Sequence, residues 1–188
     1  IYGAVKQATV WHIVASSIFG ASLLLLYTAS TLYHLLPLSE RGIAVLRRID
    51  HIMIYVLIAG TYTPLCLVTL RGVWGWTLLA LIWTIAAIGL AMKLFWFDAP
   101  RWFSTTFYVI MGLIVVAFFP LLSQLLPNIA LGWIVGGGIL YIIGAIIYGT
   151  KLPVLNFSRW FGFHEVFHLF VLAGSFCHYW VMYRYILV

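Results

Sequence analysis

Six long apolar stretches, separated only by short breaks, dominate this 188-residue chain. They run Val10–Leu36, Leu46–Leu70, Val73–Phe95, Phe103–Leu126, Ile129–Thr150 and Phe161–Leu187. Each is about 20–27 residues long, which suits an α-helix crossing a bilayer with some tilt. The runs are unbroken rather than alternating at every second residue, which argues against a membrane β-barrel. Residues are 65% hydrophobic and only 7% charged, and no water-exposed domain of this size has interior enough for so much apolar surface. The predicted fold is therefore all-α: a polytopic transmembrane helical bundle forming one domain over residues 1–188. The net charge of +6 does not point to nucleic acid, because the cations are scattered through short loops.

Those loop cations orient the spans. Arg41, Arg47, Arg48, Lys93, Arg101, Lys151 and Arg159 fall around the breaks after the first, third and fifth spans, whereas Lys6, Arg71 and Arg184 fall on the other side. Seven against three places the first set in the cytoplasm and both chain ends outside. A protein whose amino terminus starts in the cytoplasm then needs one more span before Ile1, so seven spans are expected in the complete protein.

Against this background the polar residues stand out. Ser30 and His34 close the first span, Asp50 opens the second, and His164 and His168 open the last. The topology puts all of them at one depth, just inside the cytoplasmic leaflet. An ionisable group in a membrane span is costly and marks a candidate functional site. His164 and His168 are four residues apart, on one helical face, close enough to chelate one ion. Ser30 and His34 share that spacing. A third imidazole, His34, gives a three-histidine zinc site with a fourth position left for water, whose pKa zinc lowers toward about 7. Asp50 is then placed to take a proton or to orient a ligand histidine, and the Ser30 hydroxyl to hold the water. The competing reading is that these histidines are interhelical hydrogen-bonding groups.

His164-Glu165-Val166-Phe167-His168 also fits the H-E-x-x-H zinc-protease pattern. Glu165 is the last acidic residue of the chain, so such a protease would have to recruit His34 or Asp50 as its third ligand. His178 lies about 15 Å further along the helix than His168, too far to share the ion. His51 points about 100° away from Asp50, and His12 sits at the opposite leaflet. Cys66 and Cys177 read as buried small hydrophobes. Trp11, Trp74, Trp76, Trp96, Trp102 and Trp160 read as interface anchors. Gly132 and Gly136, with Gly136-Gly137-Gly138, suggest close helix approach, and Pro64 a kink in the second span.

Ser30-Thr-Leu-Tyr-His34, Asp50-His51, Ala59-Gly-Thr-Tyr-Thr-Pro64, His164-Glu-Val-Phe-His168 and Leu172-Ala-Gly-Ser175 with His178 occur in order across the chain. Together they resemble the hemolysin III family, the bacterial branch of the progestin and adipoQ receptor superfamily, which includes the adiponectin receptors. The resemblance implies a seven-helix membrane protein with a cytoplasmic amino terminus, zinc on His34, His164 and His168, and Ser30 and Asp50 close to the ion. The family's first helix, with its own polar motif, has no counterpart here. Its receptor branch resembles lipid amidases associated with ceramide, and its bacterial members take their name from lytic phenotypes. The expected function is a zinc-dependent hydrolase of a lipid amide or ester, with membrane lipids as substrate or cavity ligand and Asp50 and Ser30 as catalytic residues. The alternative is a non-enzymatic cytolysin or membrane-state regulator in which zinc is a structural clip.

Overall fold

A computed structural model of the protein describes residues 9–96, 100–150 and 162–187. The described residues are helical and include no strand. Six helical spans among them are long and apolar enough to cross a membrane. The chain divides into two compact units, Ile1–Ala99 with Leu187–Val188, and Pro100–Ile186.

The first unit holds α1 (Val10–Leu35), α2 (Glu40–Pro64) and α3 (Gly72–Phe95). α1 stops where Leu36 turns extended before Pro37, since the residue before proline disfavours helical geometry. α1 and α2 meet where Gly60 lies against the buried Ser22. α2 and α3 meet where Gly89 lies against the Tyr55 ring, and the Trp83 indole donates to the Thr63 hydroxyl at 3.2 Å. Thr61 and Thr63 return their own protons to the carbonyls of Leu57 and Ala59, at 2.8 and 2.9 Å. Such back-bonding satisfies hydroxyls where water is absent. The turn into α3 passes through positive φ at both Arg71 (32°) and Gly72 (67°). Glycine takes that geometry without penalty; arginine does so at some cost.

The second unit holds α4 (Arg101–Leu113), a 3₁₀ segment (Ile114–Phe118), α5 (Phe119–Leu125), α6 (Asn128–Thr150) and α7 (Phe163–Val181). α6 and α7 pack through glycines. A Cβ on Gly174 would stand 3.1 Å from the Gly137 carbonyl oxygen, and one on Gly144 would stand 3.1 Å from Phe170 Cβ.

Four expectations are refined. α2 begins at Glu40 rather than Leu46, because the Ser39 hydroxyl accepts from the Gly42 N–H at 3.4 Å and caps the helix. Capping and helix propensity carry the helix beyond its apolar part. The fourth span is interrupted by the 3₁₀ segment ahead of Pro120, whose missing N–H removes an α-type bond. At Pro64, where a kink is expected, the second span passes into a π-helical stretch, Leu65–Leu70. Among the described residues nothing comes within 4 Å of a Cβ at Gly132, Gly136 or Gly138, whereas Gly137 and Gly144 are closely packed. Lys6, Lys151, Arg159, Trp160 and Phe161, named above for loops and ends, lie outside the described residues.

Candidate metal centre and the residues around it

The second unit brings two of the proposed ligands together. His164 and His168 lie one turn apart at the start of α7, with their Nε2 atoms 3.1 Å apart. The rings stand edge to face, 4.6 Å between centroids and 88° between planes. Two nitrogens that each sit about 2.0–2.1 Å from a tetrahedral zinc stand roughly 3.4 Å from one another. The pair therefore fits a shared ion with a shift of a few tenths of an ångström. Tyr148 of α6 faces His164 at 6.0 Å and Phe167 at 4.9 Å between ring centroids. This aromatic wall was not visible in the sequence, because no spacing rule links positions on different helices.

Glu165, the middle residue of the protease-like pattern, is occupied otherwise. Its carboxylate accepts from the Gly162 N–H at 2.7 Å. A carboxylate in the first turn satisfies an orphan donor and faces the positive end of the helix dipole. The H-E-x-x-H match is thus a pair of neighbouring histidines with a helix-capping carboxylate between them in sequence.

The first unit holds the other three candidates. His34 is in the last turn of α1 and tilts against Tyr33 at 4.7 Å. Asp50 is buried in α2. The Ser30 hydroxyl donates to the Asp50 carboxylate, and the His34 ring is close enough for its charge to be felt there. Ser30, His34 and Asp50 are therefore one cluster, as their shared depth suggested. His51, the neighbour of Asp50, turns away and its Nδ1–H donates to the Arg47 carbonyl at 2.6 Å.

His178 is apart from the pair, as its spacing predicts. It is buried, its ring stacks on Tyr141 at 5.4 Å, and its Nδ1 has no hydrogen-bond partner among the described residues. Beside it the Tyr141 and Ser175 hydroxyls are 2.9 Å apart. His12 bonds to the Thr9 hydroxyl near the opposite end of α1, where Trp11 packs edge-on against Trp76. Cys66 and Cys177 are buried free thiols. Sequence reading gave Lys93 only as a loop-orienting cation; it is in fact buried within the first unit.

Comparison with known proteins agrees with this architecture. Residues 1–179 match the family described as Haemolysin-III related. Hemolysin-3 of Bacillus cereus is 45% identical over 179 residues, covering 93% of this chain and 76% of that protein. The Hemolysin-3 homolog of Bacillus subtilis (strain 168) is 40% identical over 174 residues, covering 92% and 77%. A shorter match joins the chain to the ADIPOR-like receptor IZH2 of Saccharomyces cerevisiae, 38% identical over 60 residues, 30% of this chain and 19% of the receptor. Near-complete coverage by the family and its bacilli relatives, the weaker receptor likeness and the six membrane-length helices agree: the chain is a multi-pass membrane protein of the hemolysin III family, within the progestin and adipoQ receptor superfamily.

Proposed function

We propose that this protein is a zinc-dependent hydrolase acting on a lipid amide or ester from within the membrane, with zinc held by His34, His164 and His168. The observation that carries the reading is the convergence of the His164 and His168 Nε2 atoms to 3.1 Å. The third ligand rests on the sequence topology, which puts His34 at the same membrane depth. Bound zinc would supply an acidified water and polarise the substrate carbonyl.

The chain's own residues supply the rest. Ser30 donates a hydrogen bond to Asp50 and so orients the carboxylate that would accept a proton from an attacking water. The same hydroxyl can re-aim toward the oxygen that gains charge as the carbonyl carbon becomes tetrahedral. Burial of Asp50 keeps bulk water from competing for those bonds. Apolar helix faces suit a hydrocarbon tail. The excess of loop cations supports a site that opens to the cytoplasm and a carboxyl terminus outside.

Asp50→Asn tests the assignment. The amide keeps the shape and can still bond to Ser30, but it accepts no proton. The variant should retain zinc and lose hydrolysis of lipid amides or esters by roughly 10²-fold or more. Loss of zinc in step with activity would make Asp50 a ligand or a ligand support instead.

A second reading is supported by the likeness to proteins named Hemolysin-3. In it the protein perturbs membranes without chemistry, and zinc is a clip between helices. Lysis of erythrocytes that survives Asp50→Asn, with no lipid hydrolysed by the parent protein, would favour that account.

A further inference from the structure

Gly137, Tyr141, Gly144 and Tyr148 follow one another along α6 at steps of four, three and four residues. Such steps keep side chains on one face of a helix, so Gly-x-x-x-Tyr occurs there twice, seven residues apart. Both copies face α7, which runs the opposite way. Gly137 lies against His178 and Tyr141 against Gly174, while Gly144 lies against Phe167 and Phe170, and Tyr148 against His164 and Phe167. In each copy the glycine lets the helices close, and the tyrosine four residues on reaches a histidine of α7.

The two tyrosines meet their histidines differently. Tyr141 lies nearly parallel to His178, 18° between planes, and its hydroxyl is 2.9 Å from that of Ser175. Stacking and a hydrogen bond fasten the helices there, and packing accounts for the pair. Tyr148 is tilted 47° from His164, and its ring also covers Phe167. His164 is in ring contact with Phe163, Phe167 and His168 as well. Those three share its helix, whereas Tyr148 sets its ring against a second one. A long side chain in a helix has two χ1 wells open to it, and passing between them swings a ring tip away from a neighbour one turn on. His164 is half-buried, so enclosure alone does not select the well in which its Nε2 lies 3.1 Å from that of His168. A rigid ring from α6 against the imidazole does.

We infer that Tyr148 is a positioning residue for the zinc site proposed above: its ring, brought against α7 by Gly144, holds the His164 imidazole in the orientation that a metal shared with His168 requires. The inference rests on that zinc reading. A ligand ring held before the ion arrives has less freedom to lose on binding, so the gain appears as metal affinity.

The test uses the full chain in nanodiscs, stripped of metal and titrated with zinc against a competing chelator. Thermal melting of the metal-free protein is read alongside. Tyr148→Phe keeps the ring and should bind zinc as the parent does. Tyr148→Leu should bind about tenfold more weakly, the lower end of what the partners of metal-ligating residues contribute, and the visible absorption of its cobalt(II) form should differ from the parent's. Tyr141→Leu removes the other tyrosine of the same face; it should lower the melting temperature and leave zinc affinity unchanged. An equal loss of affinity in Tyr141→Leu would overturn the inference, because any loosening of α6 against α7 would then suffice. A parent that binds zinc no more tightly than Tyr148→Leu would sink the inference alone, whereas a parent that binds no zinc would sink the zinc reading and the inference with it. Should Tyr148→Leu fail to fold, NMR of the metal-free parent decides: contact between the Tyr148 and His164 ring protons supports the positioning, and its absence overturns it.

Discussion

Removing His168 is the most direct test of the metal centre. The Nε2 atoms of His164 and His168 are 3.1 Å apart, so one ion can lie within bonding distance of both. Truncation at position 168 therefore costs a complete ligand. Four-ligand zinc peptides gain about 10–16 kcal/mol from the metal, or roughly 3–4 kcal/mol per ligand. That is on the order of 10²–10³ in affinity. His168→Ala purified in the presence of a competing chelator should carry little zinc by plasma mass spectrometry, while the parent carries about one per chain. His178→Ala is the control, because that ring is stacked on Tyr141 instead. A His168→Ala protein that folds and keeps its zinc, beside a His178→Ala protein that loses it, would refute the ligand assignment outright.

Four further outcomes follow from the same geometry. Gly137→Ala should destabilise the protein by about 1–3 kcal/mol, since its Cβ would stand 2.9 Å from His178 Nε2 and 3.0 Å from Cys177 Cβ; Gly132→Ala, with open space around it, should not, and thermal melting compares the two. Glu165→Ala should cost about 1 kcal/mol through loss of the helix cap, yet leave zinc content intact, whereas a protease-like general base at that position would show itself as lost turnover in Glu165→Gln. His34→Ala should lower zinc content as sharply as His168→Ala; unchanged metal there would leave only the His164–His168 pair as ligands. Single cysteines at Ser39 and Asn128, in a background lacking Cys66 and Cys177, should label with an impermeant thiol reagent at 128 but not at 39, and the reverse pattern would invert the proposed orientation.

Much of this was legible in the sequence, for a physical reason. The hydrophobic term is large and unidirectional in a membrane chain, so apolar runs give the spans to within a turn or so. The i, i+4 histidines follow from helical geometry alone. Ser30, His34 and Asp50 form a cluster because one span ends where the next begins, which their positions already imply. What escaped were balances between comparable small terms. The Ser39 cap moved the start of α2 to Glu40, and Pro120 was enough to turn Ile114–Phe118 into a 3₁₀ segment. The choice of Gly137 over Gly136 depends on helix rotation, which a run of three glycines does not specify. Lys93 read as one cation among several because its burial is a tertiary fact.

The bond from Gly162 to the Glu165 carboxylate has a kinetic side. It closes the first turn of α7 with groups that are not themselves proposed ligands, so the backbone carrying His164 is in place before an ion arrives. Loading of the proposed zinc would then order only side chains, each costing about 0.5–1.5 kcal/mol in lost rotamer freedom, and no helix would have to fold around the metal. Apo protein should keep its helical content, and zinc should enter and leave at rates set by access to the membrane interior rather than by unfolding.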